Sequence, residues 1–279
     1  MCRHKEACTT DSSILTALRE SRPRVHSITN YVTAEACANL LHACGALPIM
    51  ADAPEEAAEI TAQSRALNLN LGTLNPARAE AMRAAGSAAN RLGIPVVLDP
   101  VGAGATAFRR QTAAVLLREI RFAAVKGNAS ELRYLAGAHA MCCGADAADA
   151  DAGSLQNAEI AAALAKQTGA VIMMTGETDL VTDGKQLFRV HNGHPMMTRI
   201  TGSGCMLSAL TAAYLAVRPE QPLQACLTAL CAMGLAGEAA AKRMTAADGN
   251  MMFRNALIDA VFRMTEQDLK EGARYEADG

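Results

Sequence analysis

The sequence predicts an α/β fold: a mostly parallel central sheet with helices on both faces, a three-layer sandwich, and an antiparallel hairpin at one edge. Three observations carry this expectation. Short apolar runs and helical patterns alternate from Ser13 onward with brief connections, as βα units require. Polar or glycine-rich segments recur just after the apolar runs, where the loops of such a sheet would lie. Finally, Asp183-Gly184 splits two strand-like pieces, Leu180 to Thr182 and Lys185 to Val190, in the pattern of a hairpin with a type I′ turn. An antiparallel edge on an otherwise parallel sheet is common.

Each element has a local reason. Ile14 to Glu20 reads as a helix stopped before Pro23, and Val25 to Thr29 as a strand. A helix from Thr33 to Cys44 ends at Gly45, which suits a left-handed cap. Ala46 to Met50 is the next strand, and Asp52-Ala53-Pro54-Glu55 has the form of a capping box opening a helix to about Ser64. Ala66 to Leu71 is a strand; Asn75-Pro76 caps a helix to Arg91, closed by Gly93. Ile94 to Leu98 is a strand ending at Asp99, followed by a helix from Phe108 to Glu119. Phe122 to Val125 is a strand, and Ala129 to Ala136 a helix ending at Gly137. Met141 to Gly153 has no apolar period and reads as an exposed loop before a helix from Leu155 to Lys166 and a strand from Val171 to Met174. Beyond the hairpin the chain reads as helices at Met206 to Val217, Pro222 to Arg243 and Phe253 to Met264, then a short charged tail. With no linker and no internal repeat, residues 1–12 are expected to be a flexible leader and 13–279 one domain.

Composition narrows the function. The chain is 51% hydrophobic and only 3% aromatic, with formal net charge −2, so both the basic footprint and the stacking platforms of a nucleic-acid binder are missing. Its nine cysteines contain no Cys-x-x-Cys pair, which argues against a zinc hook. An odd number of thiols without a secretory signal points to the cytoplasm. The alanine-rich stretch from Ala225 to Ala241, with its glycines and Glu238, reads as a core helix rather than a membrane span.

The chemistry is expected at the carboxyl ends of the strands. Thr201-Gly202-Ser203-Gly204-Cys205 leads into an apolar helix, so the N–H groups of Gly202, Ser203 and Gly204 and the positive end of the helix dipole form an anion hole. Cys205, in the first turn, sits where negative charge is stabilised; the alternative is a small buried hydrophobe beside a tight glycine turn. Asp99 and Glu131 would supply hard oxygen ligands for Mg²⁺, directly or through water, although an aspartate after a strand also serves as a helix cap. Lys126 offers a cation to phosphate oxygens. Together these form the inventory of a phosphoryl-transfer site, and the absence of a Gly-x-x-x-x-Gly-Lys-Ser/Thr motif rules out a P-loop enzyme.

Five segments occur in order: Ile28-Thr29-Asn30-Tyr31-Val32, Asp99 to Ala105 (Asp-Pro-Val-Gly-Ala-Gly-Ala), Gly127-Asn128-Ala129-Ser130-Glu131, Thr175-Gly176-Glu177 and Thr201 to Cys205. Together, from about residue 14 to about residue 268, they resemble hydroxyethylthiazole kinase. The resemblance implies a ribokinase-like α/β fold and an ATP- and Mg²⁺-dependent kinase of thiamine salvage, acting on the primary alcohol of 4-methyl-5-(2-hydroxyethyl)thiazole. It also implies a homotrimer with thiazole sites between subunits. By position, Asn30, Met50 and Gly202 match thiazole-site residues, while Lys126, Thr175 and Asn128 to Glu131 match the nucleotide and metal side. Cys205 stands where sugar kinases of the wider superfamily carry an aspartate base. Lys126 replaces an expected arginine, exchanging a bidentate fork for a point charge. The 141–153 loop keeps only Gly144-Ala145-Asp146 of an expected Gly-Val-Asp segment and is assigned no role.

Other readings remain beside this one. Met50 could be simple core filling. His26, His191 and His194 read as hydrogen-bonded or surface residues, and Lys185 and Arg189 as a solvated hairpin face. A related kinase of hydroxymethylpyrimidine type and a non-catalytic thiazole- or thiamine-binding protein are the alternatives to the thiazole kinase. A nicotinamide or flavin oxidoreductase is disfavoured because Val25 to Thr29 leads into Asn30-Tyr31-Val32 and not a Gly-x-Gly-x-x-Gly turn. A covalent Cys205 enzyme lacks a histidine partner at any identifiable spacing.

Overall fold

A computed structural model of the chain describes residues 8–137 and 150–278. The strands are β1 (Arg24–Ile28), β2 (Leu47–Ile49), β3 (Ala66–Asn70), β4 (Val96–Asp99), β5 (Ala124–Asn128), β6 (Val171–Thr175), β7 (Asp179–Thr182), β8 (Leu187–Val190) and β9 (Tyr275–Asp278). They form one sheet in the order β2-β1-β3-β4-β5-β6-β7-β8-β9. Pairing is parallel from β2 to β6 and antiparallel from β6 to β9.

In chain order the helices are α1 (Ser13–Ser21), α2 (Ala34–Cys44), α3 (Pro54–Ala62), α4 (Pro76–Leu92), α5 (Ala107–Glu119), α6 (Ala129–Leu135), α7 (Ala150–Thr168), α8 (Ser203–Val217), α9 (Pro222–Arg243), α10 (Asn250–Arg263) and α11 (Glu266–Gly272). One core cluster joins α1, α2, α8, α9 and α10 to one sheet face, and a second joins α3, α4, α5, α6 and α7 to the other. Strand side chains alternate between these clusters, as the period of two demands: Val25, Ala66, Val97 and Ala124 face α8, while Ile28, Leu67, Leu98 and Val125 face the opposite layer. Helix α8 is buried along nearly its whole length, which explains why it is apolar all round rather than amphipathic.

Several local expectations match the structure. Gly45 and Gly93 take left-handed conformations at the ends of α2 and α4, and Asn75 caps α4 by accepting from the Arg78 N–H. Three expectations need correction. Asp52 does not open a capping box: α3 starts after Ala53 with no side-chain cap, because the Asp52 carboxylate is drawn to the Arg78 guanidinium. The hairpin exists, but Thr182 pairs with Leu187, so its loop is the four residues 183–186 rather than a two-residue type I′ turn. The Asp183 carboxylate organises that loop by accepting from the N–H groups of Lys185 and Gln186. The charged tail, given no element from the sequence, folds into α11 and β9, and Arg189, expected on a solvated face, is paired with Asp278 across the new edge.

The leader and the 141–153 loop lie partly outside the described residues. Within them, residues 8–12 are tied to the body: Asp11 pairs with Arg218, the Asp11 N–H donates to Thr228, and the Thr10 N–H to Tyr275. The first turn of α7 takes in residues 150–153, read from the sequence as loop. A 3-10 turn at Pro195–Arg199, which no periodicity signals, leads into the segment before α8.

Candidate active site

The sheet brings polar groups into one row. Ile28 pairs with Leu69, Asn70 with Asp99, and Leu98 with Val125, so Thr29, Asn70, Asp99 and Lys126 fall side by side at the carboxyl ends of four adjacent parallel strands. Alternation turns them toward the α8 layer, and the N-terminus of α8 descends onto the row. Asp99 is 0% exposed and Lys126 5%. The Asp99 Oδ2 atom accepts from Asn70 Nδ2 (2.9 Å) and Ser208 Oγ (2.6 Å), and Lys126 Nζ lies 3.5 Å from it. Burial pushes the Asp99 carboxyl above its ordinary value, against the pull of Lys126 and of the Ser208 hydroxyl. Burial also works against the Lys126 charge, but Asp99, Cys205 and Glu131 around it outweigh that cost and hold its ammonium above the usual lysine value.

Gly202 caps α8 with φ at 90°, a conformation that glycine adopts freely. A Cβ there would sit 2.5 Å from Thr33 Cγ2. The first bond of the helix runs from the Met206 N–H to the Gly202 carbonyl (2.8 Å), so the N–H groups of Ser203, Gly204 and Cys205 precede the ladder and have no intrahelical acceptor. A Cβ on Gly204 would meet Lys126 Nζ at 2.6 Å, so the missing side chain is what lets the buried ammonium reach the helix end. Cys205, half-buried, accepts hydrogen bonds from Asn30 Nδ2 (3.2 Å) and Asn70 Nδ2 (3.3 Å).

A second group of residues forms beside this one. Glu131 spans two loops, Oε1 accepting from the Gly102 N–H and Oε2 from the Asn128 N–H, both at 2.9 Å. Asn128 returns the bond to the Glu131 N–H, completing a capping box at the start of α6. Thr175 Oγ1 donates to the Gly127 carbonyl (3.4 Å), and the Gly176 N–H to Asp179 Oδ1 (2.9 Å). Burial pushes the Asp179 carboxyl up to about 6, against its bond from Gly176. Arg109 ties the Asp99 to Ala105 loop to the end of β3 by donating to the carbonyls of Val101 and Leu71.

A buried carboxylate–ammonium pair under a helix N-terminus, with a thiol in its first turn, suits the transfer of an anionic group. Comparison with known proteins identifies the lineage. The sequence model of the hydroxyethylthiazole kinase family matches residues 15–267. The chain belongs to the hydroxyethylthiazole kinase family. It is 47% identical to the hydroxyethylthiazole kinase of Clostridium acetobutylicum, covering 93% of this chain and 97% of that one. With the Methanocella arvoryzae hydroxyethylthiazole kinase the identity is 46%, over 92% and 94%. The solved hydroxyethylthiazole kinase protein of Pyrococcus horikoshii superposes with a TM-score of 0.86 at 36% identity, covering 96% of this chain and 98% of that one. A pyridoxal kinase from Staphylococcus aureus shares the ribokinase-like fold at a TM-score of 0.63 and 17% identity.

For this member of the hydroxyethylthiazole kinase family, the structure joins most of the residues singled out from the sequence. Asn30 and Cys205 touch; Lys126 lies against Asp99 and Gly204; Asn128 and Glu131 share a capping box. Thr175 stays one strand away, on the Gly127 carbonyl. Met50 follows β2 and is half-buried against the core on the α8 side, one strand from β1. Two residues bonded to Asp99 were not assigned a role from the sequence: Asn70, which the sequence places in a polar segment at a strand end, and Ser208. Asn70 closes β3, a strand that alternates Asn68 and Asn70 with apolar residues, and Ser208 is a lone serine in the buried stretch Met206 to Ala216 of α8. The signal for Ser208 was its spacing from Gly204, whose carbonyl its hydroxyl also meets at 3.1 Å. Of the three histidines, His26 is buried and bonded to Thr61 and the Ala51 carbonyl.

Proposed function

We propose that this protein transfers the γ-phosphoryl group of ATP to the hydroxyl of 4-methyl-5-(2-hydroxyethyl)thiazole, as a kinase of thiamine salvage. The observation that carries the reading is the Asp99–Lys126 pair beneath the N-terminus of α8, with Cys205 in the first turn. The alcohol oxygen attacks the γ-phosphorus, the bond to the β-phosphate oxygen breaks, and ADP leaves. The N–H groups at Gly202, Ser203, Gly204 and Cys205, together with the Lys126 ammonium, neutralise charge on the transferring oxygens. A loose transition state needs positioning and charge neutralisation more than a strong base, so a thiol suffices where sugar kinases carry an aspartate. The alcohol proton is released on the Cys205 side. Asn30, Met50 and Gly202 contribute the thiazole side of the site, and Lys126, Thr175 and Asn128 the nucleotide side.

Asp99 and Glu131 suit Mg²⁺ held partly through water. Asp99 Oδ1 is a buried carboxylate oxygen with no partner, and the Glu131 oxygens each receive one N–H, leaving further lone pairs. No cluster of three His, Cys, Asp or Glu that could enclose a metal occurs among the described residues, which suits an ion shared with phosphates rather than a protein cage. When bound, Mg²⁺ would neutralise phosphate charge.

A homotrimer with sites between subunits fits the surface beside Asn30: Tyr31 and Val32 are 65% and 66% exposed there. One domain over residues 13–279 fits the continuous sheet. A cytoplasmic location fits the free thiols of the described cysteines. The formal net charge of −2 speaks against nucleic acid. The one described helix long and apolar enough to cross a membrane, α9, has 78% of that window buried, which speaks for a core role.

The test is to incubate the protein with ATP, Mg²⁺ and the thiazole alcohol and look for the thiazole phosphate by mass spectrometry. Thiazole bound but never phosphorylated would favour the non-catalytic binding protein.

A further inference from the structure

The two asparagines beside Cys205 are oriented by backbone groups. The Gly72 N–H donates to Asn70 Oδ1 (2.9 Å), and the Thr33 N–H to Asn30 Oδ1 (3.1 Å). A backbone N–H can only donate, so neither amide can be flipped: the oxygen must face the backbone and the nitrogen must face away. Away from Gly72, Asn70 Nδ2 meets Asp99 Oδ2 at 2.9 Å and Cys205 Sγ at 3.3 Å. Away from Thr33, Asn30 Nδ2 meets Cys205 Sγ at 3.2 Å and Asn70 Oδ1 at 3.1 Å. Asn70 therefore spends both donors and both acceptor directions, the full capacity of an amide, while 0% exposed. A close approach makes this arrangement possible, since a Cβ on Gly72 would sit 2.6 Å from Asn30 Cβ.

The consequence falls on the sulfur. Cys205 Sγ receives two N–H groups from fixed donors, so it serves both neighbours as an acceptor and has its remaining direction for a third group. We propose that Asn70 is a positioning residue for phosphoryl transfer: by filling one acceptor direction of Cys205 Sγ, as Asn30 fills the other, it turns the remaining direction of the sulfur toward the substrate hydroxyl, and it links the sulfur to the Asp99–Lys126 pair. This rests on the kinase reading of the site and adds to it a residue that does not itself touch substrate.

A double-mutant cycle tests it. Asn70→Ala and Asn70→Asp are each made in the natural chain and in Cys205→Ala. Asn70→Asp keeps the oxygen that Gly72 and Asn30 bind and removes both N–H donors, so it reports even if Asn70→Ala fails to fold. In the natural chain each is expected to lower kcat by roughly tenfold or more with KM for the thiazole alcohol nearly unchanged, and in the Cys205→Ala background the loss shrinks to about threefold or less. The rate at which iodoacetamide alkylates Cys205 at fixed pH, followed by peptide mass spectrometry, is expected to change several-fold in the Asn70 variants. Equal kcat losses in both backgrounds would place the effect on Asp99 instead and overturn the proposal, as would an unchanged alkylation rate. If the natural chain phosphorylates no thiazole alcohol, the kinase reading has failed, and alkylation alone then decides whether Asn70 holds the sulfur.

Discussion

Replacing Lys126 by Met removes the buried ammonium beside Asp99 while keeping a side chain of similar length. What remains is a carboxyl at 0% exposure with its Asn70 and Ser208 donors but no counter-charge. Stranding a buried charge in this way costs about 3–5 kcal/mol. The carboxyl has an escape, which is to take up a proton. From an ordinary aspartate pKa of about 3.9, protonation costs about 4 kcal/mol at pH 7 and about 1.5 kcal/mol at pH 5, and these set ceilings on the penalty. The sign follows from the upward shift of Asp99, which loss of Lys126 enlarges. A carboxyl whose folded-state pKa is raised contributes stability that is present below its unfolded value and lost as pH rises through the folded value. Lys126→Met is therefore expected to unfold at a markedly lower temperature than the natural chain at pH 7, by roughly 6–12 °C for a loss of about 3 kcal/mol, and to lose much less at pH 5. Adding Asp99→Asn to Lys126→Met removes the stranded charge and should recover most of the lost Tm at pH 7, while phosphoryl transfer stays low. Thermal unfolding followed by circular dichroism at the two pH values, with an ADP-release assay alongside, measures all of this. An equal Tm loss at pH 5 and pH 7, or no recovery in the double variant, would refute the view that Lys126 and Asp99 form a mutually dependent charge pair.

Three further outcomes follow from the geometry. Gly202→Ala puts a side chain at φ 90° and against Thr33, and the left-handed strain and overpacking together should cost roughly 2–5 kcal/mol in denaturant unfolding, with turnover falling as well; a variant as stable as the natural chain would contradict this packing. Cys205→Ala should lower kcat without abolishing it, and Cys205→Asp should keep activity; loss of all turnover in both, with thiazole binding intact by calorimetry, would mean the sulfur does something this scheme lacks. Asp179, pushed up to about 6 by burial, contributes stability below its unfolded value that is lost as pH rises through about 6. The Tm of Asp179→Asn, which keeps an oxygen for the Gly176 N–H, should therefore gain on that of the natural chain between pH 4 and pH 7, and a constant difference across that range would contradict the shift.

The order of strands and helices was legible because its signals are local: Gly45 and Gly93 end helices by left-handed φ, and Asn75-Pro76 opens one. What misled were local signals overruled by distant partners. Asp52 looks like a cap, but Arg78, a helix away, takes its carboxylate; Asp183-Gly184 looks like a two-residue turn, but Thr182 pairs with Leu187. The tail carries no apolar run, and it becomes a strand because β8 presents an open edge and Arg189 a counter-charge for Asp278. In the candidate site, residues in distinctive segments were identifiable from the sequence: Asn30, Asp99, Lys126, Glu131, Cys205. The roles of Asn70, whose strand-end segment was visible, and of Ser208 were not, because they lie in strand register and helix pitch, which place the two against Asp99 from 29 and 109 residues away. The direction of Lys126, inward to Asp99 and Gly204, also depended on packing that only the fold supplies.

Whether this site phosphorylates a thiazole alcohol is decided by coupled ADP release with ATP and Mg²⁺ against hydroxyethylthiazole, hydroxymethylpyrimidine and ribose side by side. Release dependent on hydroxyethylthiazole is expected, with a kcat/KM well above that for the other two alcohols. Preference for hydroxymethylpyrimidine or ribose, or no ADP release with hydroxyethylthiazole, would overturn the thiazole kinase reading.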